Sequence, residues 1–477
     1  MAVFAYGSFQ RKGENMRKIT TTRRTFVGAS ALTGAALLAA CGNNQDTATE
    51  ATTTDETAAE DTAASDAGII GGTYSVYVKG YDWGCGVETA ILTLDEPVEG
   101  LTADNLLVSE TKQVTDFTDE TFPVIEGTFD RTVLEVTPLS SADSDEAASG
   151  PTAIYAVKLQ CTPEEGSPLL YTMSTGYNTW SDPYVMNFVS SDDAPVHVAV
   201  AGEPTDIASD ADLFTMDSFT SSDNIEIKYA YLPPAEASEN LVVWLHGAGE
   251  GGTDHTDPRI TLLGNKVTAL GSDEFQETVG GAHILVPQSP TMWMDIDGTS
   301  TYIDTENSTE VRSHYTQAVE ELIDSCAEKI GAKKILLCGC SNGGFMTLWL
   351  TIHRPDAYVG AVPICEAVPD ALITDEQIAS LKDVPLYFVY SKDDPIVIPD
   401  QHEIPTIERL RAAGKGDDTL HVSTTDTVVD TSGEVKDAEG KPYQYNGHWS
   451  WIYFDNNDCE CDIDGLKAWD FIKECFA

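Results

Sequence analysis

The sequence has 477 residues, 42% of them apolar, and 27 Lys and Arg residues against 78 Asp and Glu residues give it a formal net charge of −51. That length is enough for two folded domains, because single hydrophobic cores stop growing near about 250 to 300 residues. The strong negative charge repels phosphate backbones and anionic lipid headgroups, which argues against nucleic acid as a partner.

Residues 1–40 are predicted to be an export signal. Residues 22–27, with the pair Arg23-Arg24, match the twin-arginine pattern, and a short, weakly apolar stretch follows over 28–40. The step Leu38-Ala39-Ala40-Cys41-Gly42 resembles a bacterial lipobox. Cleavage before Cys41 would leave this residue as a lipidated N-terminus, so we expect an exported bacterial lipoprotein, held at the membrane or cell surface by its lipid anchor alone. The alternative is a poor transmembrane helix.

Residues 41–67 consist mainly of Thr, Ala, Asp and Glu, which predicts a disordered acidic tether. From 68 to 205, short alternating runs such as 73–78 and 90–94 are separated by Gly, Pro, Asp and Asn. This pattern predicts a small antiparallel β domain. It contains no pair of nucleophile and base, so we expect it to support the fold, capture substrate or cover a cleft.

From 206 to 477, apolar strand-like runs alternate with amphipathic helical stretches, which predicts a mostly parallel sheet covered by helices on both faces. The predicted strands are 241–245, 283–286, 334–339, 358–365, 384–390 and 420–423, and the predicted helices are 311–330, 343–353, 402–413 and 465–475.

Gly339-Cys340-Ser341-Asn342-Gly343 is a G-x-S-x-G element between the predicted strand 335–338 and a helix. A serine on such a strand-to-helix turn is held exposed, and the flanking glycines let neighbouring backbone approach it. We therefore predict Ser341 as a nucleophile.

A glycine-rich loop, His246-Gly247-Ala248-Gly249-Glu250-Gly251-Gly252, follows the predicted strand 241–245. Acyl transfer needs N–H donors aimed at a developing oxyanion, and we predict the amides of Ala248 and Asn342 for this role. The alternative is a connection without catalytic function. A phosphate-binding loop is disfavoured because no G-K-[ST] follows. His246 is expected to be structural.

A serine nucleophile needs a base, and the base needs a carboxylate; in this fold the chain order is Ser, acid, His. Asp394 follows the predicted strand 384–390, with Asp393 as competitor. Of the nine histidines only His402, His421 and His448 come later in the chain. His448 lies in a loop before the last helix, and we predict it as the base.

With these motifs in their order, the segment from about Phe214 onward resembles the polyhydroxybutyrate-depolymerase-like esterases, relatives of the dienelactone hydrolases. The matching pieces are Tyr231-Leu232-Pro233-Pro234, the loop at His246, Pro287-Gln288-Ser289-Pro290 with Trp293, the serine element, Asp394-Pro395-Ile396-Val397 and His448-Trp449-Ser450-Trp451. Some members carry an immunoglobulin-like domain first, and residues 82–104 look similar to it.

The resemblance implies an immunoglobulin-like β sandwich followed by an α/β hydrolase that needs neither metal nor cofactor. It also makes Trp293 and Trp449 candidates for contact with the substrate, a small-molecule or polymer-derived ester. Asn342 stands where Met or Gln is commoner, and Tyr390-Ser391 where His-Gly is frequent. These departures argue against a polymer as the substrate.

Without Cys41 nine cysteines remain, an odd number that rules out complete internal pairing. Cys459-Glu460-Cys461 lacks the spacing of common zinc clusters, so no metal site is predicted. We therefore expect a serine carboxylesterase. The alternatives are a prolyl-oligopeptidase-like peptidase, for which 68–205 is too short to form the usual propeller, and a non-catalytic binding lipoprotein.

Overall fold

The computed structural model describes residues 68–253, 256–302 and 308–477. The predicted export signal, Cys41 and the predicted tether lie outside these residues. Within the described ranges, no helix is both long and apolar enough to cross a membrane.

The first part of the described chain is built from strands, as predicted. They are β1 (Gly72–Tyr81), β2 (Gly84–Val98), β3 (Leu106–Thr115), β4 (Val124–Arg131), β5 (Val133–Leu139), β6 (Thr152–Leu159), β7 (Leu169–Thr172), β8 (Tyr177–Trp180), β9 (Tyr184–Ser190), β10 (Ala199–Gly202) and β11 (Ile207–Ser209). One sheet has the order β11-β1-β2-β6-β5, a second has β10-β9-β3-β4, and β7 and β8 form a separate hairpin. Because β11 pairs with β1, this part extends to Ser209, past the predicted boundary at 205.

The two larger sheets face each other across an apolar core. Tyr74 of β1 and Phe188 of β9 come from opposite sheets, and their ring centroids lie 5.0 Å apart. The Tyr74 hydroxyl accepts a hydrogen bond from the amide of Met186 at 2.9 Å and donates one to the carbonyl of Gly202 at 2.6 Å. A buried phenol needs such partners. This part is therefore a β sandwich, and its immunoglobulin-like character stays a prediction.

In the second part, the residues that the structure describes form one mixed sheet of eight strands. They are β12 (Thr215–Thr220), β13 (Glu226–Leu232), β14 (Asn240–Leu245), β15 (His283–Gln288), β16 (Lys334–Cys340), β17 (Gly360–Ile364), β18 (Leu386–Ser391) and β19 (Leu420–Thr425). Their order is β12-β13-β15-β14-β16-β17-β18-β19. The pairs β12–β13 and β13–β15 are antiparallel, and all the other neighbours pair in parallel.

Both faces of this sheet are buried. In β14, Val242 and Trp244 belong to one apolar cluster, whereas Leu241, Val243 and Leu245 belong to a second cluster on the opposite face. None of these side chains is exposed. Burial on both faces explains why the strands are continuous apolar runs rather than alternating ones.

Among the described residues, eight α-helices follow or separate these strands. They are α1 (Ile260–Leu263), α2 (Asp273–Val279), α3 (Thr316–Ile330), α4 (Asn342–His353), α5 (Asp375–Ser380), α6 (Glu403–Ala412), α7 (Trp451–Asp455) and α8 (Ala468–Cys475).

The six predicted strands correspond to β14–β19, and the four predicted helices to α3, α4, α6 and α8. Helix α3 begins five residues later than predicted, because the amide of His314 donates to the carbonyl of Asp295 at 2.7 Å and ties residues 311–315 to a loop. Strands β12 and β13 were not predicted, and in β13 only Ile227 and Ala230 are fully buried. Strand β12 gave even less signal. It lies at the edge of the sheet and is almost wholly exposed, so its sequence carries no apolar pattern.

The sandwich and the mixed sheet are joined by a buried carboxylate. Asp82, only 7% exposed, accepts hydrogen bonds from Lys266 Nζ at 2.8 Å and from Asn456 Nδ2 at 2.9 Å. Charge-assisted bonds of this kind are about twice as strong as neutral ones. They fix the β1–β2 turn to the region beside α7.

Candidate active site

Ser341 occupies a strained turn between β16 and α4. Its φ of 57° and ψ of −118° lie outside the regions that side-chain-bearing residues normally adopt. A Cβ added at Gly339 would lie 2.4 Å from the carbonyl oxygen of Leu245, and one at Gly343 would lie 1.8 Å from the same atom. Both flanking positions therefore require glycine, because the backbone of β14 passes directly beside the turn.

A continuous hydrogen-bond chain runs from Ser341 through His448 to Asp394. Ser341 Oγ lies 2.8 Å from His448 Nε2, and His448 Nδ1 lies 2.8 Å from Asp394 Oδ2. The carboxylate can only accept, so Nδ1 carries the proton and Nε2 is free to accept from the serine hydroxyl. The structure thus brings the three predicted residues together in the geometry that the activation of a serine requires.

Asp394, rather than its neighbour, faces the histidine. Its Oδ1 accepts from the amides of Ile396 at 2.8 Å and Val397 at 3.0 Å, which leaves Oδ2 for the ring. The Asp393 carboxylate instead accepts from the Ser391 hydroxyl at 2.6 Å. The turn after β18 therefore directs the two adjacent carboxylates to different partners.

His448 is held in a loop just before α7. Its amide donates to the side chain of Asn446 at 2.9 Å, and the edge of its ring meets Trp451, with the centroids 5.6 Å apart. The other two histidines that follow Asp394 in the chain make different contacts. His402 Nδ1 contacts the carbonyl of Ile398, and His421 lies on β19.

The glycine-rich loop packs against the first turn of α4. Ala248 begins a short 3-10 turn, Ala248–Glu250, and Asn342 is the first residue of α4. Amides at the start of a helix have no partner within it. In the part of the chain that the structure describes, neither the Ala248 nor the Asn342 amide donates to another backbone carbonyl, so both remain available to an oxyanion.

His246 lies beneath this loop. It is completely buried, its Nδ1 donates to the carbonyl of Gly247 at 2.6 Å, and its Nε2 accepts from the amide of Ser289 at 2.9 Å. Burial lowers the pKa of His246 to about 4, so the ring is neutral at physiological pH. His246 joins the loop to the residue that follows β15, which is the structural role expected for it.

The structure places Trp293 differently from the predicted contact with substrate. The side chain is completely buried, and its indole N–H donates to the carbonyl of His246 at 3.1 Å. Its amide donates to the Asn342 side-chain oxygen at 2.6 Å. Trp293 therefore supports the loop from within the core, through its contacts with His246 and Asn342. Trp449 is partly exposed and packs against Tyr445 and Trp451.

The β7–β8 hairpin of the sandwich lies directly on the glycine-rich loop. Asn178 Nδ2 is 3.4 Å from Glu250 Oε1, and a Cβ at Gly249 would lie 2.8 Å from the same nitrogen. A Cβ at Gly252 would lie 2.9 Å from the ring of Tyr177. These two glycines therefore permit a close approach between the sandwich and the loop, a relationship that no sequence pattern indicated.

Glu250 is buried inside this contact. Burial raises the pKa of Glu250 to about 7, and hydrogen bonds from Asn265 and Asn178 partly offset the shift. The Glu250 carbonyl also accepts from Gln288 Nε2 at 2.9 Å. Side chain and backbone of this residue thus connect the loop to the hairpin, to residue 265 and to β15.

A further group beside the triad was not predicted. Cys365, just after β17, has a φ of 36°, and its Sγ lies within 4.8 Å of ligand-type atoms of both Asp394 and His448. Burial raises the pKa of the Cys365 thiol well above its usual range, with nearby Cys340 and Asp394 adding to the effect. The thiol is therefore protonated and acts as a packing group. The sequence indicated this residue only by its position at the end of a predicted strand, the one that pairs with β16. Strand β16 leads into the turn at Ser341, which we call the elbow.

The sequence family described as Phospholipase/Carboxylesterase matches residues 229–436. No curated protein matches the sequence. Among solved structures, a thermostable esterase is similar with a TM-score of 0.60 and 20% identity, over 81% of this chain and 96% of that one. A ferulic acid esterase has a TM-score of 0.37 and 13% identity, over 55% of this chain and 98% of that one. An acylaminoacyl peptidase of Pyrococcus horikoshii has a TM-score of 0.36 and 12% identity, over 67% of this chain and 54% of that one.

The similarity to the thermostable esterase shows the fold. It covers more of this chain than residues 206–477 alone could supply, so the shared architecture extends into the sandwich. The chain has an α/β-hydrolase fold, as predicted, and the family match supports a hydrolase of the esterase type.

Proposed function

We propose that this protein is an exported, lipid-anchored serine carboxylesterase that forms an acyl-enzyme on Ser341. The observation that carries the proposal is the unbroken chain of two 2.8 Å contacts from Ser341 Oγ through His448 to Asp394. The strained turn at Ser341 supports it, because backbone strain concentrates at functional positions.

In the acylation step, His448 Nε2 takes the proton of Ser341 Oγ as this oxygen attacks the ester carbonyl. Asp394 stabilises the resulting imidazolium through Nδ1–H and remains a carboxylate. The negative charge on the former carbonyl oxygen is stabilised by the amides of Ala248 and Asn342. His448 then gives its proton to the departing alkoxide, and the alcohol leaves an acyl group on Ser341.

In the deacylation step, a water molecule replaces the alcohol. His448 takes a proton from the water as it attacks the acyl carbonyl, and returns that proton to Ser341 Oγ when the C–O bond to serine breaks. The carboxylic acid is released. Every proton moves between the triad, the ester and water, so proton transfer needs no further group from the protein.

The order of the motifs supports a closer assignment. We assign the catalytic part to the polyhydroxybutyrate-depolymerase-like esterases and the sandwich to the immunoglobulin-like domains that precede some of them. The substrate is then a small-molecule or polymer-derived ester. The departures at Asn342 and at Tyr390-Ser391 favour a small molecule.

Hydrolysis of short-chain and aromatic p-nitrophenyl esters by the purified full chain tests the esterase activity. We expect turnover that disappears in Ser341→Ala and persists in Ser222→Ala, which changes an exposed serine on the surface. A fluorophosphonate probe should label wild type at Ser341. If the folded protein neither hydrolyses any ester nor reacts with the probe, the catalytic proposal fails and a binding lipoprotein takes its place. Preference for amides over esters would indicate a peptidase.

The export and anchoring part of the proposal depends on the sequence around Arg23-Arg24 and Cys41. Labelled palmitate should be incorporated into the exported protein and should be lost in Cys41→Ala, while replacing both arginines by lysine should block export. Incorporation that is unchanged in Cys41→Ala would contradict the anchor.

A further inference from the structure

Three side chains with metal-binding groups meet at the edge strand β19, apart from the triad. They are His421 on β19 and Cys461 and Asp464 in the loop before α8, and their ligand-type atoms all lie within 4.8 Å of one another. A thiol, an imidazole and a carboxylate in one cluster form a donor set typical of zinc.

His421 contributes a buried ring nitrogen to this cluster. Its side chain is only 6% exposed, and its Nδ1 lies 3.8 Å from Asp464 Oδ2, too far for a hydrogen bond. Across the residues that the structure describes, this Nδ1 has no hydrogen-bond partner. A buried polar atom without a partner is destabilising, and a bound ligand would relieve that cost.

Aromatic neighbours hold the imidazole in place. The ring of His421 stacks on Tyr387, with centroids 5.9 Å apart, and meets the ring of Phe471 at 5.4 Å. The imidazole therefore keeps one orientation, with Nδ1 turned towards Asp464. Such support around a metal-binding histidine reduces the cost of ordering it on binding.

The loop presents its two ligands from a closed turn. The amide of Cys461 donates to the carbonyl of Leu466 at 2.9 Å, and the amide of Gly465 donates to the carbonyl of Cys461 at 2.9 Å. Asp464 Oδ1 accepts from the amide of Leu466 at 3.0 Å, which leaves Oδ2 facing His421. The amide of Asp462 donates to the carbonyl of Val422 and fixes the loop beside β19.

We propose that His421 Nδ1, Cys461 Sγ and Asp464 Oδ2 bind one Zn²⁺ ion, with water as the fourth ligand. Ligand atoms around a tetrahedral zinc are about 3.3 to 3.7 Å apart, so the present spacing needs only a small contraction. Binding breaks the S–H bond of Cys461, the metal takes the sulfur lone pair, and the proton passes to solvent. Calcium and magnesium are disfavoured because they prefer oxygen ligands alone.

The ion would join the loop at 461–464 to β19 and so stabilise the segment that leads into α8. This role is separate from ester hydrolysis, because none of the three ligands belongs to the triad or to the glycine-rich loop. The metal-site proposal can therefore be tested independently of the esterase proposal.

Cobalt binding to the purified full chain tests the site. After removal of metals with a chelator, Co²⁺ should bind in a ratio of one per chain and produce a thiolate-to-cobalt charge-transfer band that Zn²⁺ then abolishes. The band should be absent in Cys461→Ser, and affinity should fall about 100-fold or more in His421→Asn and Asp464→Asn. Asp462→Asn is the matched control, since its carboxylate lies in the same loop but bonds to Thr424.

Thermal unfolding gives a second readout. Zn²⁺ should raise the Tm of wild type and of Asp462→Asn, since a ligand that binds the folded state stabilises it, and should leave Cys461→Ser unchanged. The proposal is overturned if folded wild type shows no cobalt–thiolate band, or if the band persists in Cys461→Ser. Equal affinity in Asp464→Asn and Asp462→Asn would remove Asp464 from the ligand set.

Discussion

Asn178 in the β sandwich donates a hydrogen bond to Glu250 in the glycine-rich loop of the hydrolase part, with the two atoms 3.4 Å apart. Glu250 ends the short turn that begins with Ala248, whose amide we propose as an oxyanion donor. The sandwich is therefore in direct contact with the loop on which acyl transfer would depend.

Asn178→Ala should lower kcat for ester hydrolysis by about tenfold, with a smaller change in KM, because a misplaced oxyanion donor weakens the transition state more than the bound ester. Steady-state kinetics on a p-nitrophenyl ester measures the effect. Thr179→Val is the control, since this hydroxyl lies near the carbonyl of Leu170 within the hairpin. Equal kcat in Asn178→Ala and wild type would show that the hairpin does not position the loop.

The pH dependence of stability should carry a contribution from Glu250. Burial raises its pKa from 4.5 to about 7, so across that range the folded protein retains a proton that the unfolded chain has released. The contribution is complete below about pH 4.5 and is lost as the pH rises through about 7. Urea unfolding of Glu250→Gln should therefore show stability like that of wild type at pH 5 and a gain on the order of 2 kcal/mol at pH 8.

Glu274→Gln is the control for this experiment, because Glu274 is exposed on α2. Its stability relative to wild type should not vary with pH. A constant difference between Glu250→Gln and wild type from pH 5 to pH 8 would mean that Glu250 is ionised throughout.

The two adjacent carboxylates should differ sharply in their effect on activity. Asp394→Asn should lower kcat by about a thousandfold or more, because the histidine loses the group that fixes its tautomer and stabilises its charge. Asp393→Asn should stay within about tenfold of wild type, since its carboxylate bonds to Ser391. Circular dichroism should show that both variants are folded. The reverse order of effects would assign the acid to Asp393.

Gly343→Ala should prevent folding or lower the free energy of unfolding by more than about 3 kcal/mol. The new Cβ would lie 1.8 Å from the carbonyl oxygen of Leu245, and neither backbone can move without disrupting the sheet. Gly150→Ala, where a Cβ meets no atom within 4 Å, should change stability by less than about 0.5 kcal/mol. Urea denaturation measures the free energy of unfolding of both variants. A stable Gly343→Ala protein would mean that the turn at Ser341 can widen enough to accept the added methyl group.

Much of the hydrolase part could be predicted from sequence because its signals are local. Buried strands are continuous apolar runs, and the elbow at Ser341 needs glycines on both sides, so both appear as short patterns. The expected chain order then left His448, in a loop, as the candidate base and two adjacent carboxylates as candidate acids. The turn after β18, which no pattern describes, determines that Asp394 faces the ring and Asp393 does not.

Apart from those of the triad, contacts between distant segments could not be predicted. Trp293 was expected at the substrate, but the loop at 246–252 folds over it. Spacing along the chain gave no reason to suspect metal at Cys461, because His421 approaches it only when the loop before α8 lies against β19.

The sequence alone thus determined strands β14–β19 and the elbow, because each depends on residues a few positions apart. It also gave the chain order of serine, acid and histidine. Tertiary structure alone decided that Asn178 reaches Glu250, which aspartate faces His448, and which histidine lies beside Cys461. The physical reason is that packing of sheets and loops sets these distances, and packing depends on the whole chain rather than on any one segment.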